Sequence, residues 1–282
     1  MLSILRVLAV AAALITLAAC RTPAATLPER PSINVFIASD STATDQTLNE
    51  DYHTHRHPVS GWGQAFQPWI SGDNLKQLYP LISAPAAELQ NHAKGGRSTR
   101  SFFEEGRWQA ICQQLQPGDL VLIQFGHNDA AVDKPLRYVD IPGYKQYLRL
   151  FVDQVREKQA VPVLMTPVNR NYPWQDGVLG NSHGEYPDAV KAIAAEKNVL
   201  FIDLGQRSRD FFTGKGEAHV GPTYFMNLQP GAFPVYPDGH KDNTHFQPAG
   251  AEAVAQLVYE GLLELAQQLR TKPEQNNNRI NQ

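Results

Sequence analysis

The stretch INVFIASDSTA at residues 33–43 decides the fold, because its apolar run stops abruptly at a small polar turn. A short apolar run that ends in turn residues predicts a buried β-strand. In an open α/β fold, ligands bind where such strands end. Ser41, in the turn, is therefore a candidate nucleophile, although an isolated Asp-Ser pair more often caps a helix or closes a turn.

A serine nucleophile needs a base and a group that orients the base. Asp242 and His245 are three residues apart in the sequence Asp-Asn-Thr-His. In a helical turn this spacing places both side chains on one face, so that the carboxylate can hold imidazole Nδ1–H and leave Nε2 for the serine. By itself the pair is weak evidence, since D-x-x-H is common as a cap or a surface pair.

Two further turns offer donors for an oxyanion. The strand predicted over 86–93 is followed by two glycines, and the backbone N–H of Gly96 can point at an anion. By itself, this glycine pair more often forms a plain tight turn. The strand predicted over 119–125 is followed by Gly-His-Asn-Asp. Its Asn128 amide can donate to an oxyanion without changing its protonation state. We interpret the neighbouring His127 as structural.

Strand and helix patterns alternate along most of the chain. Strands are predicted from Ile33 to the polar turn and over 86–93, 119–125, 161–166 and 199–203. Helices are predicted over 143–158, over 187–197 and after Gly250 to about Leu269. This alternation implies right-handed crossovers and one five-stranded parallel sheet covered on both faces, so the polar turns fall on one edge. Residues 211–241 are rich in glycine, proline and aromatics, which predicts an irregular wall beside the site rather than a second domain.

Composition excludes one class of partner. The 282 residues are 42% hydrophobic and carry a net charge of −3, with basic residues scattered along the sequence. Such a chain can bury a full core, and its length alone allows one large domain or two. Scattered basic residues argue against a nucleic-acid partner.

The first twenty residues predict an export signal. Arg6 precedes an apolar run over 7–19, which is too short for a comfortable membrane span and fits the core of a secretion signal. The run ends in Leu-Ala-Ala-Cys, which resembles a bacterial lipobox that would make Cys20 the lipid-modified first residue; an ordinary signal peptide is the alternative. We expect a flexible tether over 21–32, a domain over 33–270 and a polar tail over 271–282.

The remaining cysteine and a histidine run carry weaker signals. If Cys20 carries lipid, Cys112 is the only other thiol, so the exported chain has no internal disulfide. Cys112 lies in a helical pattern and is interpreted as a buried structural thiol. His53, His55 and His57 alternate, and an extended segment would place the three imidazoles on one side. A metal site is thus conceivable, but no acidic or cysteine ligand sits at suitable spacing. We favour a solvated loop and predict no metal and no cofactor.

Taken together, the four polar turns resemble the four sequence blocks of the SGNH (GDSL-like) hydrolases. The rhamnogalacturonan acetylesterase branch is indicated by Ser-Asp-Ser-Thr at 39–42, Gly-Trp-Gly at 61–63, Gly-Arg-Ser-Thr-Arg-Ser-Phe at 96–102, Thr-Pro-Val at 166–168 and Pro-Ala-Gly at 248–250. The resemblance implies a flavodoxin-like three-layer α/β/α sandwich. Ser39 departs from the family motif, which usually has glycine at this position. A side chain here can crowd the turn or the acyl pocket.

Carried over residue by residue, the resemblance implies Ser41 as nucleophile, His245 as base and Asp242 as the group that orients it. It implies the backbone N–H groups of Ser41 and Gly96 and the side chain of Asn128 as oxyanion donors.

The implied reaction is the removal of acetyl groups from an acetylated plant cell-wall polysaccharide, foremost pectic rhamnogalacturonan. Trp62, Tyr172 and Trp174 are expected to stack on sugar rings, with Arg170 as a further substrate contact. The alternatives are a lipase or thioesterase of the same fold, which would act on longer acyl chains, and a non-catalytic carbohydrate-binding lipoprotein.

The expected location follows from the lipobox. A lipid anchor on Cys20 followed by Arg21, rather than by aspartate, predicts the outer membrane of a Gram-negative cell. The sequence predicts no oligomeric state.

Overall fold

The computed structural model describes residues 30–271. The strands are β1 (Ile33–Ser39), β2 (Ala87–Asn91), β3 (Leu120–Gln124), β4 (Val161–Met165), β5 (Trp174–Gln175), β6 (Val178–Leu179), β7 (Leu200–Ile202), β8 (Phe225–Leu228) and β9 (His240–Phe246). The α-helices are α1 (Gly72–Gln77), α2 (Thr99–Glu104), α3 (Arg107–Gln114), α4 (Ile141–Glu157), α5 (Tyr186–Glu196), α6 (Leu204–Lys215), α7 (Glu217–Tyr224) and α8 (Pro248–Thr271). Short 3₁₀ turns cover Gln46–Leu48, Trp62–Ala65 and Gln67–Ile70, and a π-helical turn covers Tyr52–Arg56.

Five parallel strands form the central sheet in the order β2-β1-β3-β4-β7. This confirms the predicted α/β fold with a five-stranded parallel sheet. β1 begins at Ile33 as predicted, and the other four strands lie within the predicted ranges and are one to three residues shorter. Because β1 pairs with both β2 and β3, the turns that follow these three strands meet at one edge.

Helices cover both faces of the sheet and give the three layers. Along β1, Val35 and Ile37 point into a core that is closed by α8, whereas Phe36 and Ala38 point into a core that is closed by α3, α4 and α5. All five residues of β3 are buried. Burial on both faces explains why the central strands read as continuous apolar runs rather than as alternating patterns.

Arg30, at the start of the described region, forms an ion pair with a residue next to the central sheet. Its Nη1 lies 2.6 Å from Oδ1 of the buried Asp119, just before β3. The same carboxylate accepts hydrogen bonds from the backbone N–H of Asn34 and of Gln116. The folded region therefore includes Arg30, three residues before the predicted domain start.

Some predictions fall outside the described residues. These are the signal peptide over 1–20 with Cys20, most of the tether over 21–32, and the polar tail beyond Thr271. Among residues 30–271, no helix is both long enough and apolar enough to cross a membrane.

One local prediction was wrong, and one conditional expectation is not met. Residues 211–241 are not an irregular wall throughout, because α6, α7 and β8 account for the segment up to Leu228. Pro222 inside α7 obscured the helical pattern. His53 and His55 are exposed in the π-helical turn, which agrees with the predicted solvated loop and does not give the extended conformation that would have aligned the imidazoles.

Candidate active site

The turn after β1 presents Ser41 at the sheet edge. Oδ1 of the buried Asp40 accepts hydrogen bonds from the backbone N–H of Thr42 at 2.9 Å and from its hydroxyl at 2.8 Å. The backbone of Gly61 packs so closely on this turn that a Cβ there would lie 2.3 Å from the carbonyl oxygen of Thr44. The turn is thus fixed from inside and outside, and it leaves Ser41 half-buried beside a cleft.

Ser41, His245 and Asp242 form one hydrogen-bonded line. Ser41 Oγ lies 2.9 Å from His245 Nε2, and His245 Nδ1 lies 2.6 Å from Asp242 Oδ2. Burial acts to raise the pKa of Asp242, but the hydrogen bond and charge of His245, with two backbone N–H groups, lower it to about 2. An ionised Asp242 accepts from Nδ1–H, which leaves Nε2 to accept the serine proton.

The local structure around this pair differs from the predicted helical turn. Asp242 and His245 both lie in β9, which pairs with β8. Phe225 pairs with Phe246 while its neighbour Met226 pairs with Asp242, so β9 bulges over the intervening residues. The bulge lets side chains three residues apart meet, as a regular strand would not. The predicted helical turn was wrong, although the predicted contact between Asp242 and His245 is present.

The glycine turn after β2 lies against the serine. A Cβ at Gly95 would stand 3.6 Å from Cβ of Ser41, and Gly96 has a φ of +78°, which disfavours any other residue. Asn128, after β3, borders the same cleft. Its Nδ2 donates to the carbonyl oxygen of Arg97 at 3.0 Å, and the second Nδ2 hydrogen has no partner among residues 30–271.

Two cavities meet at Ser41. The larger, of about 800 Å³, is also bordered by Gly96, Asn128, Arg170 and Tyr172. The smaller, of about 320 Å³, is bordered by Tyr236 and His240, whose rings stack with centroids 4.6 Å apart. Among the described residues, no cluster of three or more histidine, cysteine or acidic side chains could hold a metal ion.

The family of this chain follows from comparison with known proteins. Residues 54–253 match the model of the GDSL-like Lipase/Acylhydrolase family, a span that includes Asn128, Asp242 and His245 and begins after Ser41. The chain belongs to the GDSL-like lipase/acylhydrolase family. It is accordingly a carboxylic ester hydrolase.

Individual relatives cover most of this hydrolase. It is 42% identical to the rhamnogalacturonan acetylesterase RhgT of Bacillus subtilis over 84% of this chain and 93% of that protein. It is 26% identical to a rhamnogalacturonan acetylesterase of Emericella nidulans over 81% of this chain and 84% of that protein. The crystal structure of the Bacillus subtilis protein YxiM shares the fold, with a TM-score of 0.64 and 24% identity over 83% of this chain, which spans 57% of that structure.

One predicted sugar contact of the hydrolase was wrong, and another lies outside both cavities. Trp62 is completely buried, and its Nε1 donates to Oε1 of Gln124 at 3.0 Å in the interior. Trp174 packs against the core, donates to Oδ1 of Asn171, and borders neither cavity. Both assignments were made from residue type alone, which carries no information on burial.

Other predicted site residues have clear positions. Tyr172 is 43% exposed and borders the larger cavity with Arg170, whose guanidinium carbon lies 5.9 Å from the tyrosine ring centroid. Ser39, which replaces the usual glycine, is fully buried and borders neither cavity, so its side chain lies in the protein interior. Three further residues border these cavities without having been predicted, because they lie in segments without a motif: Arg137, Tyr236 and His240.

His127 is held in the interior behind Ser41. Its Nδ1 is 3.2 Å from Oδ2 of Asp40, without hydrogen-bond alignment, and its ring packs edge-on against His183 at 4.3 Å between centroids. Burial lowers the pKa of His127 despite the neighbouring carboxylate, so the ring stays neutral at pH 7. It touches neither Ser41 nor His245 by hydrogen bonding, which agrees with a structural role.

Asp129, the last residue of Gly-His-Asn-Asp, is a buried acid of this hydrolase. Its Oδ1 accepts from the backbone N–H of Thr99 at 2.9 Å and from the Thr99 hydroxyl at 2.6 Å, and its Oδ2 has no hydrogen-bond partner among residues 30–271. Burial raises the pKa of Asp129 from 3.8 to about 7. The folded protein therefore holds this proton more tightly than the unfolded chain does.

Replacing Asp129 with asparagine is expected to flatten the pH dependence of stability. In the wild type the unfolded carboxyl ionises first as the pH rises, so the free energy of unfolding falls between about pH 4 and pH 7. The amide of the Asp129→Asn variant cannot titrate, so the variant loses this slope. Urea denaturation at pH 5 and pH 8 measures it, with Asp238→Asn, at an exposed site, as a control that keeps the wild-type slope. Equal slopes in Asp129→Asn and wild type would contradict the assignment.

Proposed function

We propose that this hydrolase removes acetyl groups from an acetylated plant cell-wall polysaccharide, pectic rhamnogalacturonan or its oligosaccharides, through an acyl-enzyme on Ser41. The observation that carries the proposal is the continuous line from Asp242 through His245 to Ser41 at the junction of two cavities. The similarity to proteins named rhamnogalacturonan acetylesterases supports the choice of substrate.

The geometry supports a two-step mechanism. Ser41 Oγ attacks the acetyl carbonyl carbon while His245 Nε2 takes the hydroxyl proton, and Asp242 stabilises the resulting imidazolium. The protonated His245 then gives this proton to the departing sugar oxygen as the C–O bond breaks. A water molecule, deprotonated by His245, attacks the acetyl-serine, and acetate leaves as Ser41 regains its proton.

The negative oxygen of each tetrahedral intermediate needs fixed donors. We assign this role to the backbone N–H groups of Ser41 and Gly96 and to Nδ2 of Asn128, which border the same cleft. Asn128 is suited to the role because one contact fixes its amide while one N–H stays unpaired among the described residues.

The lining of the larger cavity disfavours the alternative of a lipase or thioesterase. Apart from Tyr172, its apolar side chains are Ala130 and Ala131, and the other lining residues are glycine, polar or charged. A long acyl chain would have little apolar surface to cover it. An acetyl group needs no such surface.

Acetate release from a panel of esters tests the function. We expect turnover of acetylated rhamnogalacturonan and of an aryl acetate, weaker turnover of acetylated xylan, and very low activity on an aryl octanoate. Comparable rates on the octanoate would favour the lipase alternative. Polysaccharide binding without acetate release by the purified protein would favour the carbohydrate-binding alternative.

We further propose that the protein is anchored by lipid on Cys20, at the outer membrane of a Gram-negative cell. The support is the apolar run over 7–19 that ends in Leu-Ala-Ala-Cys. Two or more acyl chains hold a protein firmly, because each buried CH₂ contributes about 0.8 kcal/mol. In an expressing bacterium, wild-type protein should partition into the detergent phase and Cys20→Ala into the aqueous phase. Wild-type protein found wholly in the soluble fraction would refute the anchor.

A further inference from the structure

Positive charge is concentrated in the larger cavity beside Ser41. The protein as a whole carries a net charge of −3. The acidic residues that border the cavity are Asp133 and Asp242, and Asp242 is engaged by His245. The basic residues that border it are Arg56, Lys94, Arg97, Lys134, Arg137 and Arg170. The cavity therefore has a charge opposite to that of the protein.

Most of these cations are not neutralised. Arg97 pairs with Glu105 at 2.9 Å, and Arg56 lies 3.5 Å from Asp51. Among residues 30–271, the basic groups of the other four have no carboxylate within 4 Å; these are Lys94, Lys134, Arg137 and Arg170. Uncompensated charge in a concave site raises the local concentration of anions.

Arg137 lies beside two of the proposed oxyanion donors, Gly96 and Asn128. A Cβ at Gly96 would lie 3.0 Å from its guanidinium carbon, and its Nη1 is 3.4 Å from Oδ1 of Asn128. The second distance is long for a hydrogen bond from a cation, and a guanidinium has five N–H donors. Most of the hydrogen-bonding capacity of Arg137 is thus unused among the described residues, a few ångströms from two proposed oxyanion donors.

We infer that Arg137, assisted by Lys94, Lys134 and Arg170, forms a carboxylate-binding subsite that selects esters on, or next to, a uronic acid residue. The inference rests on the proposed acetylesterase function and adds the group that is recognised and the residues that recognise it. A planar guanidinium matches a carboxylate with two parallel hydrogen bonds. An acetyl group held at Gly96 and Asn128 brings the other substituents of its sugar, or of the adjoining one, within reach of Arg137.

The first test compares one substrate in two charge states. The substrates are an acetylated oligogalacturonate and its methyl ester, in which each charged carboxylate is replaced by a neutral ester with one added methyl group. We expect wild-type protein to prefer the charged form, and Arg137→Gln to reduce the ratio of the two kcat/KM values by roughly 10- to 100-fold, mainly through KM. The control is Arg149→Gln, at a surface site where Arg149 pairs with Glu196 at 2.6 Å, and it should keep the wild-type ratio.

Two outcomes of this test would overturn the subsite. If Arg137→Gln slows both substrates equally, Arg137 acts through Asn128 on the oxyanion and does not select for charge. If wild-type protein releases acetate from both forms at the same rate, no carboxylate is recognised although the acetylesterase function stands.

A second measurement separates the subsite from the proposed function. Oligogalacturonate without acetyl groups should inhibit the hydrolysis of a neutral aryl acetate by wild-type protein, its methyl ester should inhibit far less, and the difference should shrink in Arg137→Gln and at high salt. Inhibition without acetate release from any acetylated sugar would refute the proposed function and keep the subsite. Equal inhibition by both forms, or none by either, would refute the subsite.

Discussion

Replacing Ser41 or His245 with alanine is expected to lower kcat on an aryl acetate by about 10³-fold or more, because members of a hydrogen-bonded nucleophile, base and acid group act as a unit. The 2.9 Å and 2.6 Å contacts that join the three side chains are the structural basis of this expectation. Asp242→Ala should lose somewhat less, because the nucleophile Ser41 and the base His245 both remain and Asp242 acts only through His245. Steady-state kinetics on purified variants measure the effect.

The stability of the same variants provides the control. Ser41 is half-buried in a turn fixed by Asp40 and Gly61, so Ser41→Ala should melt close to the wild-type temperature. Near-wild-type turnover in folded Ser41→Ala protein would rule out the assigned nucleophile. If Ser41→Ala and the double variant Ser41→Ala/His245→Ala are equally slow, the two residues act in one step, as the geometry requires.

Replacing Asn128 with alanine is expected to lower kcat by roughly 10²- to 10³-fold with little change in KM, because one oxyanion donor stabilises a transition state by about 2.7–4 kcal/mol. The fold should lose little, since the change removes the hydrogen bond to the Arg97 carbonyl, worth about 1 kcal/mol, and a long contact with Arg137. Kinetics and thermal melting together test the prediction.

A matched control separates the catalytic from the structural effect of this change. Asn181 lies on the surface, outside both cavities, and its Nδ2 also donates to a backbone carbonyl, that of Gly184. Asn181→Ala should therefore keep wild-type kcat. If activity in Asn128→Ala falls only in proportion to the loss of folded protein, Asn128 is structural.

Local chemistry explains what the sequence alone determined. The strands of the central sheet could be predicted because burial on both faces demands continuous apolar residues, as in β3. The turns could be predicted because each needs particular residue types, such as Gly96 with its positive φ. Since parallel strands place such turns on one edge, the order of elements predicted that Ser41, Gly96 and Asn128 share an edge. The pairing of β1 with both β2 and β3 then made their turns neighbours.

The tertiary structure alone decided which side chains face the cleft. Trp62 and Tyr236 are both aromatic residues outside the α-helices and β-strands, yet Trp62 is buried in the core beside Gln124 and Tyr236 borders a cavity. The pairing of β8 with β9 likewise created the bulge that joins Asp242 to His245. Basic residues that are scattered along the sequence became one positive cavity only on folding. Burial, bulges and electric fields depend on segments far apart in the chain, so no local pattern could have shown them.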